Sequence, residues 1–405
     1  METANLHKKE TDSAHFLESP VDFSLVMGGP LYQLYLRTRL AREPLELLVR
    51  RMLSISALCW LPLLILSVAC GYSIRGTVLP FLFDAEVHVR FLAVVPLLIL
   101  AELIVHQRLV NVVKQFTQRN IVAAEEYEHF SEIINSTMRL RNSVLFEAVL
   151  LVFCFTIGDW VWREGVSFRG ASWYAVNSAS GPHLTPAGYC YEFFSLPIFR
   201  FLLFRWYFRL FLWYVFLWRT RALRLHLNFF HPDRAAGLGF LSASIFAFAP
   251  VLVAHTTFLA GFIGNRIWHA GAHLLDFKME IAGSLLFLLL LILTPLTFFM
   301  THLGQARRSA SREYGILASH YVDAFRSKWI EHASGGSEPL LGTPDLQSLA
   351  DLGNAFVSVT HMRVLPFDKE SVIRLSGWLL VPLMPLILTV VPLREIVDWI
   401  IKLAF

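Results

Sequence analysis

The stretch MLSISALCWLPLLILSVACGY, residues 52–72, runs for 21 positions without a charged side chain. A hydrocarbon core about 30 Å thick is crossed by roughly 20 residues of helix, and within it every backbone N–H and C=O must be satisfied inside the protein. A run of this kind folds as a membrane-spanning helix, and the rest of the chain has to fold around it. Six further apolar runs follow at 89–106, 143–162, 194–218, 238–263, 281–301 and 376–393. Charged residues make up 16% of the 405-residue chain, against about a quarter in a soluble domain. The expected fold class is an all-α membrane protein with about seven transmembrane helices and a helical cytoplasmic extension.

The connecting segments alternate in charge. Arg37, Arg39, Arg42, Arg50 and Arg51 precede the first run, and Arg108, Lys114, Arg119, Arg139 and Arg141 follow the second. Arg219, Arg221, Arg224 and Arg234 follow the fourth, and Arg307, Arg308, Arg312, Arg326, Lys328 and Arg363 follow the sixth. The intervening loops carry only pairs. Positive loops stay in the cytoplasm, so this pattern puts the N-terminus inside and the C-terminus outside. The closing PLREIVDWIIKLAF also fits a short helix lying in the interface. The pI of 8.9 follows from this topology and gives no reason to expect nucleic-acid binding. Residues 1–23 are polar, with no apolar core, so the first span is expected to direct insertion itself. Cys59, Cys70 and Cys154 fall in spans and Cys190 stands alone in a loop, which offers neither a disulfide framework nor a metal motif. Nucleotide, dinucleotide and hydrolase signatures are missing, and no cofactor is expected.

Four segments emerge. Residues 1–51 form a cytoplasmic N-terminal segment in which 30–52 reads as an interfacial helix, with Leu31, Leu34 and Tyr35 on one side. That face suits a membrane surface and a neighbouring subunit equally. Residues 52–301 form the bundle, with an outer loop at 163–192 rich in Ser, Gly, Pro and aromatics that reads as an ordered cap or lid. Residues 302–375 form a cytoplasmic helical hairpin. Its second helix starts with Thr343 as N-cap and Pro344 at the first position. A hairpin of this size builds no core of its own. It must pack on the membrane domain or on another copy, so a homo-oligomer and a cytoplasmic partner at 302–375 are expected beside the lipid bilayer. Residues 376–405 hold the last span and the tail.

Three clusters bear on chemistry. LPIFRFLLFRWYFRLFLWYVFLW (196–218) carries Arg200, Arg205 and Arg209. A mid-bilayer arginine costs at least ~2.5–3.5 kcal/mol, so each should face protein or water. Arg205 and Arg209, four apart, share a helical face. Asp159 and Glu147 in the third run and Glu102 in the second are the available partners. Structural ion pairs and a cationic lining that attracts anions are both open. HPDRAAGLGFL (231–241) opens the fifth run: His231 near an N-cap, Pro232 as first residue and Asp233 favoured by the dipole read as a helix start. The small residues Gly239, Ala243 and Ala247 at four-residue spacing suit close helix packing. The sharper alternative makes His231, Asp233 and Arg234 a polar gate. IWHAGAHLLDF (267–277) puts His269 and His273 at i, i+4 with Asp276 three further on, a loose three-ligand metal pattern without a fourth donor. His255 reads as a hydrogen-bonded bundle residue.

HPDRAAGLGFL together with DLQSLADLGNAF (345–356) and PFDKESVIRLSGWLLVPLMPLILTVVPL (366–393) resembles a family of bacterial multi-pass membrane proteins, over most of the chain from the first span onward. The resemblance implies a bacterial inner-membrane location and no activity. From the residues, a pore or transporter ranks first, anions slightly favoured, with the fourth span on the pathway and the His231-Pro232-Asp233-Arg234 loop as its cytoplasmic gate. A membrane sensor or scaffold signalling through the hairpin ranks second. A lipid-directed enzyme with His231 and Asp233 as acid and base ranks last, since no nucleophile or metal constellation accompanies them.

Overall fold

The computed structural model describes residues 23–40, 47–156, 171–178, 181–331 and 343–390. After a short helix α1 (Pro30–Arg37) come α2 (Leu48–Ala69), α3 (Ala85–Gln118), α4 (Tyr127–Arg141) and α5 (Val144–Phe155). A two-stranded hairpin pairs Ala175–Ser178 with Gly181–Leu184, antiparallel. Then follow α6 (Pro186–Thr220), α7 (Leu238–Ala270), α8 (Leu274–Glu331), α9 (Pro344–Thr360) and α10 (Lys369–Ile387). Six of these, α2, α3, α6, α7, α8 and α10, are long and apolar enough to cross a membrane. The third expected span, 143–162, is represented by the 12 residues of α5; the rest of it, Asp159 included, lies outside the described residues.

The helices are built as lipid-facing elements. Leu53, Leu58, Ile65 and Val68 of α2, Leu145 and Val149 of α5, and Leu286 and Leu290 of α8 all stand on the outside. So much exposed apolar surface requires a hydrocarbon solvent. Inside, α3 packs on α2 and α7, and α6 packs on α4 and α5. The Trp206 indole N–H crosses from α6 to the Leu98 carbonyl of α3 (3.1 Å). Near one end Phe116 sits among Phe130, Phe216, Phe240 and Phe299, with ring centroids 5.0–6.5 Å apart.

The loops sort to two ends as the charge alternation requires. At one end the turn after α3 pairs with the turn after α6: Val122 bridges Leu225, and the His226 N–H donates to the Ile121 carbonyl (2.7 Å). At the other, Leu79 bridges Ser172, and the buried Trp173 indole donates to Asp84 Oδ2 (2.8 Å). Thr185 Oγ1 donates to the Trp173 carbonyl and accepts from the Gly188 N–H. The described part of the outer loop is therefore a fastened cap over the α2–α3 turn.

Three regions differ from the simplest reading. The N-terminal segment enters the bundle: Phe23, Leu25 and Val26 are buried, and α1 turns Tyr32 and Tyr35 inward while Leu34 faces out. The α3 and α6 helices each widen by one residue, at Arg90–Val94 and Tyr191–Ser195. These bulges bring Arg90 onto Tyr191, its guanidinium also lying over the Phe199 and Phe258 rings at 5.4 and 5.1 Å. Third, α8 is 58 residues long, about 87 Å at 1.5 Å per residue, so it extends far beyond one bilayer. Its distal part pairs with α9, where Tyr321 donates to the Asp345 carbonyl (3.0 Å), Lys328 and Trp329 hold the Asp345 carboxylate, and Arg307 reaches the Thr360 carbonyl (2.7 Å).

Candidate functional site: a buried arginine–glutamate box

Glu102 projects from the middle of α3 and is 4% exposed. In so apolar a place a lone carboxylate is untenable, and three guanidiniums from two other helices meet it. Arg209 Nη2 donates to Oε1 at 2.8 Å, Arg51 Nη2 stands 2.9 Å from Oε2, and Arg205 Nη1 lies 3.5 Å from Oε1. Arg205 also turns its Nε to Glu147 Oε1 of α5 at 3.4 Å and donates from Nη2 to the Gly28 carbonyl at 3.2 Å. Arg205 and Arg209 reach one carboxylate because four residues bring them onto one helical face. Aromatic rings complete the walls, with Arg51 over Tyr35 at 5.2 Å and Arg209 over Trp206 at 4.4 Å. Burial first, then the Glu102 charge, push the Tyr35 hydroxyl well above its usual pKa, so this wall stays neutral.

The floor of the box is the N-terminal segment. The Glu147 carboxylate accepts from the Leu31 N–H through Oε2 (3.0 Å), and Asn142 Oδ1 accepts from the Gly29 N–H (3.0 Å). Arg141, at the end of α4, donates to the Ser24 carbonyl. Burial and then Arg205 lower its guanidinium to about 10. Gly29 is required here: its φ is +85°, and a Cβ would stand 2.8 Å from Glu147 Oε1. Among the described residues, and counting Arg141, four guanidiniums face two carboxylates, an excess of two positive charges. Arg51 is completely buried, and its Nε and Nη1 have no hydrogen-bond acceptor among the described residues.

Sequence reasoning offered Asp159, Glu147 and Glu102 as partners for the arginines of the fourth run; Arg205 meets both Glu102 and Glu147 and Arg209 meets Glu102, while Asp159 lies outside the described residues. It missed Arg51, which reads as one of a basic pair guarding a span, and the segment 23–31. The signals present were the carboxylate inside the second apolar run and the Gly28-Gly29-Pro30 break, which bends the chain just ahead of the expected interfacial helix. Arg200 is not brought to the box; it donates to the Cys154 carbonyl at 3.2 Å.

The His231-Pro232-Asp233-Arg234 loop takes a different form from the expected helix start. The helix begins at Leu238, seven residues after His231. Asp233 caps it from the loop: Oδ1 accepts from the Ala235 and Gly237 N–H groups (2.8 and 3.2 Å) and Oδ2 from Gly239 (2.8 Å). His231 Nδ1 is 3.0 Å from Asp233 Oδ1. Burial works to raise the Asp233 pKa, but the N–H groups of Ala235, Gly239 and Gly237 with His231 outweigh it and hold the carboxyl below its usual value. Gly239 is small for this carboxylate and not for a neighbouring helix, since its Cβ would lie 2.8 Å from Asp233 Oδ2. Arg234 and Ala236 take positive φ (55° and 51°), a strained choice for residues with a Cβ. The far side of the loop is tied down by Arg363, which donates from Nη2 to the Asp233 carbonyl and from its backbone N–H to the Arg234 carbonyl, both 2.7 Å. Phe229 and Phe230 lean on Tyr314 of α8, at 5.9 and 4.8 Å. The loop thus joins the bundle to the α8–α9 hairpin.

The loose metal pattern does not assemble. Gly271 ends α7 in a left-handed turn (φ +66°), so His269 and His273 share no helical face. His269 Nε2 turns to the Phe83 carbonyl (2.9 Å), while the His273 backbone N–H donates to Asp276 Oδ2 (2.8 Å) in a cap for the next helix. Among the described residues, no group of three His, Cys, Asp or Glu side chains is placed to hold a metal ion. His255 is hydrogen-bonded inside the bundle, between the Tyr207 hydroxyl (2.8 Å) and the Val251 carbonyl (2.7 Å).

Compared with protein-family models, curated proteins and solved structures, the chain matches none of them.

Proposed function

We propose that this multi-pass membrane protein is an anion transporter or pore held closed, with the arginine–glutamate box as the site an anion occupies in transit. The observation that carries the reading is the charge imbalance among the described residues: four guanidiniums, two carboxylates, and two Arg51 donors without an acceptor. Buried donors left unmet are costly, and an anion entering between Arg51, Arg205 and Arg209 would satisfy them. Glu102 and Glu147 act as internal counter-anions that a permeant anion displaces in part, and the N-terminal segment with α1 is the closure. The His231-Pro232-Asp233-Arg234 loop is the cytoplasmic gate, moved by the hairpin through Tyr314 and Arg363. On this reading the protein sits in a bacterial inner membrane, as the family resemblance implies, with its N-terminus inside, as the alternation of basic loops implies.

The test is flux into liposomes holding the purified protein, under chloride and phosphate gradients and under a potassium gradient with an impermeant anion. Wild type should pass anions in preference to potassium. Arg205→Lys with Arg209→Lys keeps the charge but loses the forked geometry. It should change the order of anion preference while its melting curve stays cooperative. A folded protein that passes no ion under any of these gradients sinks the reading.

A second reading has an observation of its own. The α8–α9 hairpin leaves Ile316, Leu317, Ile330 and Leu346 at least half exposed, which suits a surface that meets another protein or another copy. In that case the chain is a sensor or scaffold, and hairpin truncation abolishes partner binding with no ion flux to lose.

A further inference from the structure

A second basic site lies apart from the box, at the end of α6 where α4 packs against it. There a cleft of about 780 Å³ opens between the two helices, within the ~300–1,000 Å³ usual for small-ligand sites. Its cations are Arg139 of α4 and Arg219 and Arg221 of α6 and the turn beyond, with His129 at the rim. Glu132 is the acidic side chain on its wall, and no carboxylate ion-pairs with any of the three arginines among the described residues. Two of them are held in place without being neutralised. Arg219 Nη1 donates to Ser136 Oγ at 2.8 Å, and the Arg221 guanidinium lies 3.4 Å from the centre of the Trp218 ring. Trp218 packs edge-on against Phe298 at 5.0 Å yet remains half exposed, the posture of a tryptophan at the level of lipid headgroups.

The geometry points to a binding site for a phosphate group in this cleft, presented by an anionic phospholipid whose headgroup sits at the level of Trp218. Arginine forks match phosphate oxygens in pairs. Stacking on Trp218 and the bond to Ser136 fix two of the forks in advance, so little side-chain freedom is lost on binding. The apolar floor of Ile133 and Leu223 suits the glycerol and first acyl carbons, which a free phosphate lacks.

The test is native mass spectrometry of the full chain in detergent, given equal amounts of phosphatidylglycerol and phosphatidylcholine, with inorganic phosphate titrated separately. One phosphatidylglycerol should be retained in preference to phosphatidylcholine. Arg139→Gln with Arg219→Gln should lower its affinity about thirtyfold, the loss expected for two interfacial basic residues. Arg312→Gln, on the exposed face of α8, should leave it unchanged. If inorganic phosphate alone binds at micromolar levels and displaces the lipid, the phosphate site stands and its source is soluble. Equal retention of both lipids with no phosphate binding overturns the proposal, as does an equal loss in the Arg312→Gln variant, which would reduce the effect to general surface charge.

Discussion

Glu102 is the buried carboxylate on which three guanidiniums converge. It neutralises guanidiniums from two separate helices at the same depth. Removing one partner of a buried ion cluster leaves the others uncompensated, at about 3–5 kcal/mol. Glu102→Gln, which preserves volume, should lower the melting temperature in detergent far more than Glu370→Gln at the exposed pair with Arg374. Equal melting of the two variants would mean that water already reaches the box. Asp233 makes a different prediction. Its folded pKa is depressed, so its stabilising contribution is complete above the unfolded carboxyl value of ~3.9 and fades as pH falls through the lower folded value. Melting temperature should drop below about pH 4 in wild type, and the acid dependence should be shallower in Asp233→Asn. An unchanged pH profile would show that the Ala235, Gly237 and Gly239 donors are not what holds the loop.

Among the elements, the α8–α9 hairpin and the His231 loop are coupled through few contacts, which makes the coupling testable. Tyr314→Ala removes the ring on which Phe229 and Phe230 rest. Hydrogen exchange should quicken in 228–239 while α2 and α3 keep their protection; quickening confined to α8 would show that the loop stands without the hairpin. The helices themselves were legible because 20-residue apolar runs admit one solution in a membrane, but their ends were not: α3 and α8 run well past the apolar runs at 89–106 and 281–301. Local chemistry was less so. The reading of His269, His273 and Asp276 assumed a continuous helix, and Gly271 breaks it. The small residue Gly239 read as helix packing, but what crowds it is a carboxylate from its own loop. In both cases periodicity was right about the helix and silent about the turn beside it. Half of the box was visible, because arginines and carboxylates inside apolar runs must find one another. The other half came from the non-periodic segment 23–31, whose role is set by tertiary contacts alone.

At the scale of the whole molecule, the N-terminal segment fills the end of the box, and in the proposed pathway it would be the stopper. Phe23 packs on Phe216 and Trp213 at 4.8 and 6.3 Å, and the Gly28 carbonyl and Leu31 N–H occupy donors and acceptors of the box. Deleting residues 1–31 should raise anion flux in liposomes and expose Arg205 to arginine-selective reagents while the helical content is kept. Unaltered flux with a modified Arg205 would separate the box from the pathway. The bundle also prescribes the order in which it can be made. Arg51 belongs to the first span, its counter-anion to the second, and Arg205 and Arg209 to a span more than ninety residues later. While the ribosome is still building the middle of the chain, α2 and α3 can already neutralise each other, one arginine to one glutamate. The later span arrives with its own charges unmet and must find a carboxylate already half committed. Biogenesis would then wait on that one side chain, and a cell that loses it should degrade the protein during membrane insertion, before any question of transport arises.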